Sequence, residues 1–262
     1  MIGAPLTDSP AATGLETNSA YAVFLENVTV DFDGFRALDI YRFGVFRNEL
    51  RVVIGPNGAG KTTLCDVISG KTHATGGRVF FEGMDITHRR DADIAALGVG
   101  RKFQTPTVFP SLTVYENMDL ALPGRRRVFQ NLIGRESRED REKIYAMLRR
   151  VRLLDMAHCL AGMLSHGQRQ WLEISMLMVA SPKLLLVDEP AAGLTDAETA
   201  LTSELLLELK GHHTIIVIEH DMEFVRRLNS RVTVLNEGQV LADGPMDQVQ
   251  KDPKVIEAYL GR

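Results

Sequence analysis

The sequence has no apolar run of membrane-spanning length. Its most apolar region, Trp171 to Val187, is broken by Glu173, Pro182 and Lys183, so it reads as buried core. The start of the chain lacks the basic residues and apolar stretch of a signal peptide. Residues 1–20 are instead rich in Ala, Gly, Ser, Thr and Pro, which predicts a disordered cytoplasmic tail. Cysteine is scarce: Cys65 and Cys159 form neither a metal-ligand spacing nor a disulfide framework, and they read as buried thiols in a reducing compartment. Excess positive charge is absent too. With 30 Lys and Arg against 34 Asp and Glu, the net charge is −4, which gives no electrostatic reason to expect nucleic acid. The short run Arg125-Arg126-Arg127 reads as a solvated helix face or loop. There is no internal repeat and no second phosphate loop. What remains is an ordinary globular composition, 45% hydrophobic and 24% charged over 262 residues, enough for one large domain or a core with an inserted subdomain.

Within it stands Gly55-Pro56-Asn57-Gly58-Ala59-Gly60-Lys61-Thr62-Thr63, which fits the phosphate-loop pattern G-x-x-x-x-G-K-[ST]. Arg51 to Ile54 before it reads as a short buried strand and Thr63 to Ser69 after it as a helix. This strand–loop–helix order points backbone N–H groups and the positive end of a helix dipole at phosphate. Lys61 is placed to reach the β- and γ-phosphates, and the Thr62 hydroxyl to reach Mg²⁺. A chance glycine-rich turn is the competing explanation, and the flanking elements argue against it.

Elsewhere the pattern predicts short strands at Ala22–Leu25 and Val28–Val30, a turn at Asp33-Gly34, a hairpin strand over 76–83, a short helix over 91–97 and a strand over 98–103. After Gln104 the character changes. Thr105 to Pro110 forms a proline-bounded hinge with exposed-looking Val108 and Phe109. Thr113 to Glu116 reads as a capping box, and Arg138 to Leu153 as a helix with Ile144, Met147, Leu148 and Val151 at core spacing. Helix over 171–178, strand over 183–187, helix over 197–210 and strand over 214–218 then alternate, predicting an α/β fold with a mainly parallel central sheet. The expected divisions are a tail (1–20), a nucleotide-binding core in two parts (21–103 and 165–262) and a helical subdomain between them (104–164).

Two further segments narrow the chemistry. Leu185-Leu186-Val187-Asp188-Glu189 is an apolar strand ending in two carboxylates. Asp188 is placed to hold Mg²⁺ beside a phosphate loop and Glu189 to polarise an attacking water, although both could merely cap the next turn. Leu164-Ser165-His166-Gly167-Gln168 sits ahead of a helix expected to begin near Gln168 or Arg169. It offers a hydroxyl, backbone N–H groups and a helix N-terminus without a lysine; taken alone it could be an N-capped helix start and nothing more.

Together these segments resemble ATP-binding-cassette (ABC) ATPases over residues 21–262, with Leu164 to Gln168 matching the signature L-S-G-G-Q and His166 standing at its first glycine. The resemblance implies a P-loop NTPase (RecA-like) α/β core carrying an antiparallel β subdomain and an inserted α-helical subdomain. It assigns Gln104 to the Q-loop glutamine, which reaches γ-phosphate or Mg²⁺, and His220 to the switch histidine. Phe32 is matched to the aromatic that stacks on adenine, with Phe35 near enough to compete. Pro190 to Thr195 matches the D-loop, where the family often has Asp in place of Thr195. ATP and Mg²⁺ are the implied cofactors. Catalysis is implied for Lys61, Glu189 and His220, and metal binding for Thr62, Gln104 and Asp188. Nucleotide binding is implied for Phe32, for Gly55 to Thr63 and Gln104, and in trans for Ser165, His166, Gly167 and Gln168 of a neighbouring subunit.

A narrower likeness lies in Gly100 to Phe109, in His166 to Trp171, in Ile218 to Phe224 and in Val255 to Gly261. These resemble the ATPases of branched-chain amino acid and urea importers, most of all an ATP-binding subunit of the urea importer. That implies a peripheral protein on the cytoplasmic face of the bacterial inner membrane, paired with a second ATPase subunit. Membrane permease subunits are implied as direct partners and a solute-binding protein as an indirect one, with no nucleic acid. A branched-chain amino acid importer, an ABC ATPase of lipopolysaccharide export or soluble function, and a nucleotide-binding module without turnover are the alternatives.

Overall fold

The computed structural model describes residues 20–102, 108–123 and 137–260. The expected N-terminal tail up to residue 19, Gln104, the first half of the proline-bounded hinge (105–107) and the Arg125–Arg127 run lie outside the described residues.

Two sheets carry the chain. The first is antiparallel, in the order β2-β1-β4-β5, from β1 (Tyr21–Phe32), β2 (Phe35–Phe46), β4 (Gly76–Phe81) and β5 (Met84–Asp85). The second contains six strands in the order β10-β9-β3-β8-β7-β6: β3 (Leu50–Ile54), β6 (Val99–Lys102), β7 (Leu184–Asp188), β8 (Thr214–Ile218), β9 (Arg231–Asn236) and β10 (Gln239–Pro245). All its neighbours run parallel except the β9–β10 edge pair.

The central strands are apolar without a break because both faces are covered. Val52, Leu185, Val187, Ile215 and Val217 point into one core, shared with the helices of the middle and C-terminal segments. Val53, Leu184, Leu186, Ile216 and Ile218 point into the other, shared with the antiparallel sheet. The period-2 alternation thus sorts neighbouring residues of each strand into two separate cores.

The helices are α1 (Lys61–Ile68), α2 (Asp91–Ala96), α3 (Val114–Ala121), α4 (Arg138–Arg150), α5 (His166–Val179), α6 (Asp196–Leu209), α7 (Met222–Leu228), α8 (Met246–Val249) and α9 (Pro253–Leu260). Local chemistry sets several of their starts. Thr113, Ser165 and Thr195 each accept the N3 backbone N–H while the N3 Glu or Gln reaches back, so α3, α5 and α6 open on complete capping boxes. Thr113→Ala should therefore lower unfolding stability by about 0.5–2 kcal/mol, read as a shift in a urea midpoint at constant slope.

The structure departs from the sequence expectations in several places. The two strands expected at 22–25 and 28–30 are one strand, since Asn27 adopts φ 52 and kinks β1 without ending it. Helix α4 stops at Arg150, because Val151 leaves helical geometry and Arg152 takes φ 58. Val108 is buried against the main core, leaving Phe109 as the exposed residue of that pair. Cys65 is buried as expected, but Cys159 is only partly so.

Candidate functional site

Strand register brings the predicted residues together. β3, β8 and β7 are adjacent and parallel, with Val53 opposite Ile218 and Ile218 opposite Asp188. Their carboxyl ends deliver the phosphate loop, the Glu219-His220 turn and Asp188-Glu189 to one edge of the sheet. β6 adds Lys102, one register step from Asp188. Open α/β sheets build their ligand sites at such an edge.

The loop itself is shaped by close approach. A Cβ on Gly55 would lie 2.2 Å from the Leu235 carbonyl oxygen, and one on Gly60, at φ 95, would lie 2.7 Å from the Ala37 carbonyl oxygen. Only glycine passes both constrictions. Gly60 is the left-handed N-cap of α1, with no side chain covering the helix start, so the first N–H groups of α1 remain available. Helix α1 begins at Lys61, two residues before the sequence expectation. Lys61 Nζ donates to the carbonyls of Gly55 (2.7 Å) and Pro56 (2.9 Å), which curls its stem back over the loop. Burial holds its pKa below the ordinary lysine value, against the opposing pull of Glu189 and Asp188. Asn57, Gly58 and Thr62 are exposed at the loop surface.

Asp188 is buried, and its Oδ2 has no hydrogen-bond partner. Burial raises its pKa, with Arg101 and Lys102 pulling the other way. An unpartnered buried carboxylate oxygen within electrostatic reach of Lys61, on the sheet edge that carries the loop with exposed Thr62, is a donor set suited to Mg²⁺ and phosphate. Cys65, inside α1, has its thiol pushed up to about 12 by burial, which makes it an inert core residue. Glu189 adopts φ 47, an uncommon conformation for a non-glycine residue. Its N–H donates to the Ile218 carbonyl at 2.9 Å, and its Oε1 lies 3.4 Å from His220 Nδ1.

The signature residues are held elsewhere, against the segment that follows Glu189. Ser165 caps α5, which therefore starts at His166 and not at Gln168 or Arg169. Its Oγ lies 3.4 Å from Glu198 Oε1, and a Cβ on Gly167 would strike that same oxygen at 2.3 Å. The Gln170 amide donates to the Ala192 carbonyl and lies 3.1 Å from His166 Nε2. His166 Nε2 also lies 3.2 Å from the same Ala192 carbonyl, so the imidazole donates to that oxygen in one tautomer and accepts from the Gln170 amide in the other. Thr195, the D-loop departure, works as the N-cap of α6. Ser165 and His166 are exposed, while their hydrogen bonds within the chain leave the phosphate loop untouched.

Phe32 and Phe35 close the β1–β2 hairpin across Asp33 (φ 46) and Gly34 (φ 87), the positive-φ pair of a tight two-residue turn. Both rings are exposed, Phe32 at 46% and Phe35 at 66%, so each offers a face for stacking.

The sequence reading missed two buried charged groups. Glu219 ends the apolar run of β8, and Lys102 pairs with Glu173 of α5 at 3.9 Å. The available signal was a charged residue directly following, or set within, an otherwise buried strand or helix.

A family model described as ABC transporter matches residues 38–192, more than half of the chain. The chain belongs to the ABC transporter family. Its C-terminal residues 239–262 match a model described as branched-chain amino acid ATP-binding cassette transporter. Among its relatives is the probable branched-chain amino acid transport ATP-binding protein LivG of Archaeoglobus fulgidus, 36% identical and covering 90% of this chain and 94% of the relative. LivG of Escherichia coli K12, a high-affinity branched-chain amino acid transport ATP-binding protein, is 37% identical over 88% of this chain and 94% of its own. A nucleotide-free ATP-binding cassette from an ABC transporter superposes with TM-score 0.80 at 32% identity, over 92% of this chain and 100% of that one. A dimeric post-hydrolysis cassette bound to ADP and Pi superposes with TM-score 0.71 at 25% identity, over 86% and 98%. This ABC cassette is therefore an ATP-binding subunit and an ATPase, of the group that includes branched-chain amino acid transport proteins. Among the described residues no helix is long and apolar enough to cross a membrane.

Proposed function

We propose that the chain is the ATP-hydrolysing subunit of an importer for a small polar solute, working peripherally at the cytoplasmic face of the bacterial inner membrane. The observation that carries this reading is the convergence of the phosphate loop, Asp188-Glu189 and His220 at the ends of three adjacent strands. Lys61 and the loop amides bind the β- and γ-phosphates. Thr62 and Asp188, with Gln104, would hold Mg²⁺, which would neutralise phosphate charge. Glu189 takes the proton of the attacking water, and His220 orients that water and the γ-phosphate. Phe32 stacks on adenine.

Ser165, His166, Gly167 and Gln168 serve the nucleotide of a neighbouring subunit. A lysine-free helix start is a weak nucleotide site alone but can complete one from outside. The exposure of Ser165 and His166 supports this reading, as does the likeness to a dimeric cassette.

The membrane permease contact is assigned to the loop at Phe109. This residue is 53% exposed, its backbone is fixed in both directions by Asn117 of α3, and exposed Leu160 and Met163 lie on the segment paired with it. Phe109→Ser should weaken assembly with the permease while leaving ATP binding unchanged; a pull-down in which the variant retains its permease would remove the assignment.

Two solute readings stand. The relatives' names favour branched-chain amino acids, whereas the resemblance in Gly100 to Phe109 and His166 to Trp171 favours urea or short amides. Reconstitution of the subunit with its co-purifying membrane partners in liposomes separates them. ATP hydrolysis should rise with one solute class in the presence of its binding protein. Stimulation by neither class, with ribosomes, DNA or lipid-export proteins co-purifying, would favour a non-importer ATPase.

A further inference from the structure

We propose that Glu219 is a positioning residue for ATP hydrolysis, its carboxylate fixing the peptides that carry His220 and that follow Glu189. This rests on the catalytic reading of Glu189 and His220 given above. Glu219 is 1% exposed and directly follows β8, whose last four residues, Ile215 to Ile218, are apolar. A buried carboxylate is costly unless it is hydrogen-bonded. Here all its bonds come from backbone N–H groups: Oε1 accepts from Ala191 at 2.9 Å, and Oε2 accepts from His220 at 2.9 Å and Asp221 at 3.2 Å. Its own N–H donates to the Val53 carbonyl at 3.1 Å, two residues before the phosphate loop. Through its backbone and its carboxylate together, this one residue links the end of β3, the turn after β8 and the segment after β7.

The geometry gives Glu219 a definite task. His220 Nδ1 lies 3.4 Å from Glu189 Oε1 and 4.0 Å from Glu219 Oε2, so both carboxylates face the same ring nitrogen. Glu189 is in a positive-φ conformation that its surroundings must maintain. The peptide after it is held on both sides, the Ala191 N–H by Glu219 and the Ala192 carbonyl by Gln170. Gln170 belongs to the helix that opens with the signature residues. Glu219 thus supplies one of the two anchors by which the D-loop keeps Glu189 and His220 in register.

Only a carboxylate can accept on both oxygens. Glu219→Gln keeps the size but turns an NH₂ group toward either Ala191 or the His220–Asp221 pair, where the backbone also presents N–H. In the full-length chain with its co-purifying partners, kcat for ATP should fall about tenfold or more, the scale of losing a hydrogen bond to a charged group. KM should stay within about twofold, because the phosphate loop is untouched. Amide hydrogen exchange at Ala191, His220 and Asp221 should quicken in the variant while the rest of the sheet stays protected.

Glu189→Gln is measured beside it. If that variant keeps full turnover, the underlying site reading fails and this proposal with it. If Glu189→Gln is inactive while Glu219→Gln keeps its kcat, the positioning role alone is wrong. Should Glu219→Gln not fold, wild-type exchange decides: slow exchange at Ala191, matching that of the β8 amides, supports the anchor, and rapid exchange there overturns it.

Discussion

Glu189→Gln is expected to bind ATP and to hydrolyse it about 10²–10⁴-fold more slowly than the wild type, the usual cost of removing a general base. The side chain is half-buried, 3.4 Å from His220 Nδ1, and carried on a backbone that is itself hydrogen-bonded to the neighbouring strand at Ile218. Glutamine is isosteric and retains an acceptor, so the positions of His220 and the phosphate loop should not change. What it lacks is the capacity to take a proton from water. ATP that binds and is not hydrolysed should then trap closed dimers. Steady-state phosphate release and equilibrium binding of a fluorescent ATP analogue check the two halves of this expectation. Unimpaired phosphate release would remove Glu189 from the role.

Lys61→Met should abolish productive phosphate handling with little damage to the fold. Loss of a preorganised donor to a developing oxyanion costs about 10²–10³-fold in kcat, and tighter dependence on ATP concentration should accompany it. Stability responds differently. Burial depresses the Lys61 pKa below its ordinary 10.5. The unfolded chain therefore binds more protons between the folded and unfolded values, so this group's contribution to stability rises with pH through that window. Below that window the buried charge is a full cost. Methionine removes that cost together with the two bonds to the Gly55 and Pro56 carbonyls. The opposing changes should leave the unfolding free energy within about 1 kcal/mol of wild type. A chain that loses both stability and ATP binding would point to a structural role for the lysine.

Much of this was legible in the sequence because short-range chemistry determines it. The phosphate loop, the strand ending at Asp188, and the capping box at Thr113 each depend on residues within a few positions of one another. Helix α5 starts two or three residues ahead of the expected Gln168 or Arg169, because the box between Ser165 and Gln168 begins the helix at once. Strand β1 continues through Asn27, where two short strands are expected, because pairing with β2 and β4 on both sides carries it through. Val108 looked exposed beside Phe109, and only the packing of the helical segment shows which of the two faces inward.

The tertiary partners were not legible. Glu219 meets Ala191 across 28 positions, and Gln170 meets Ala192 across 22. Nothing local to either pair announces the other. The same holds for the packing of Gly167 against Glu198, where a glycine that looked like part of an anion site is also a requirement of close approach.

The central claim is that this phosphate loop is half of a site, completed by the signature residues of a second cassette. Light scattering on Glu189→Gln, alone and mixed with the ATPase subunit that co-purifies with the chain, tests it most directly. The predicted result is one cassette mass without nucleotide and twice that mass with Mg-ATP. A wild-type monomer whose full specific activity is independent of protein concentration, with no mass change in the variant on binding ATP, would contradict it.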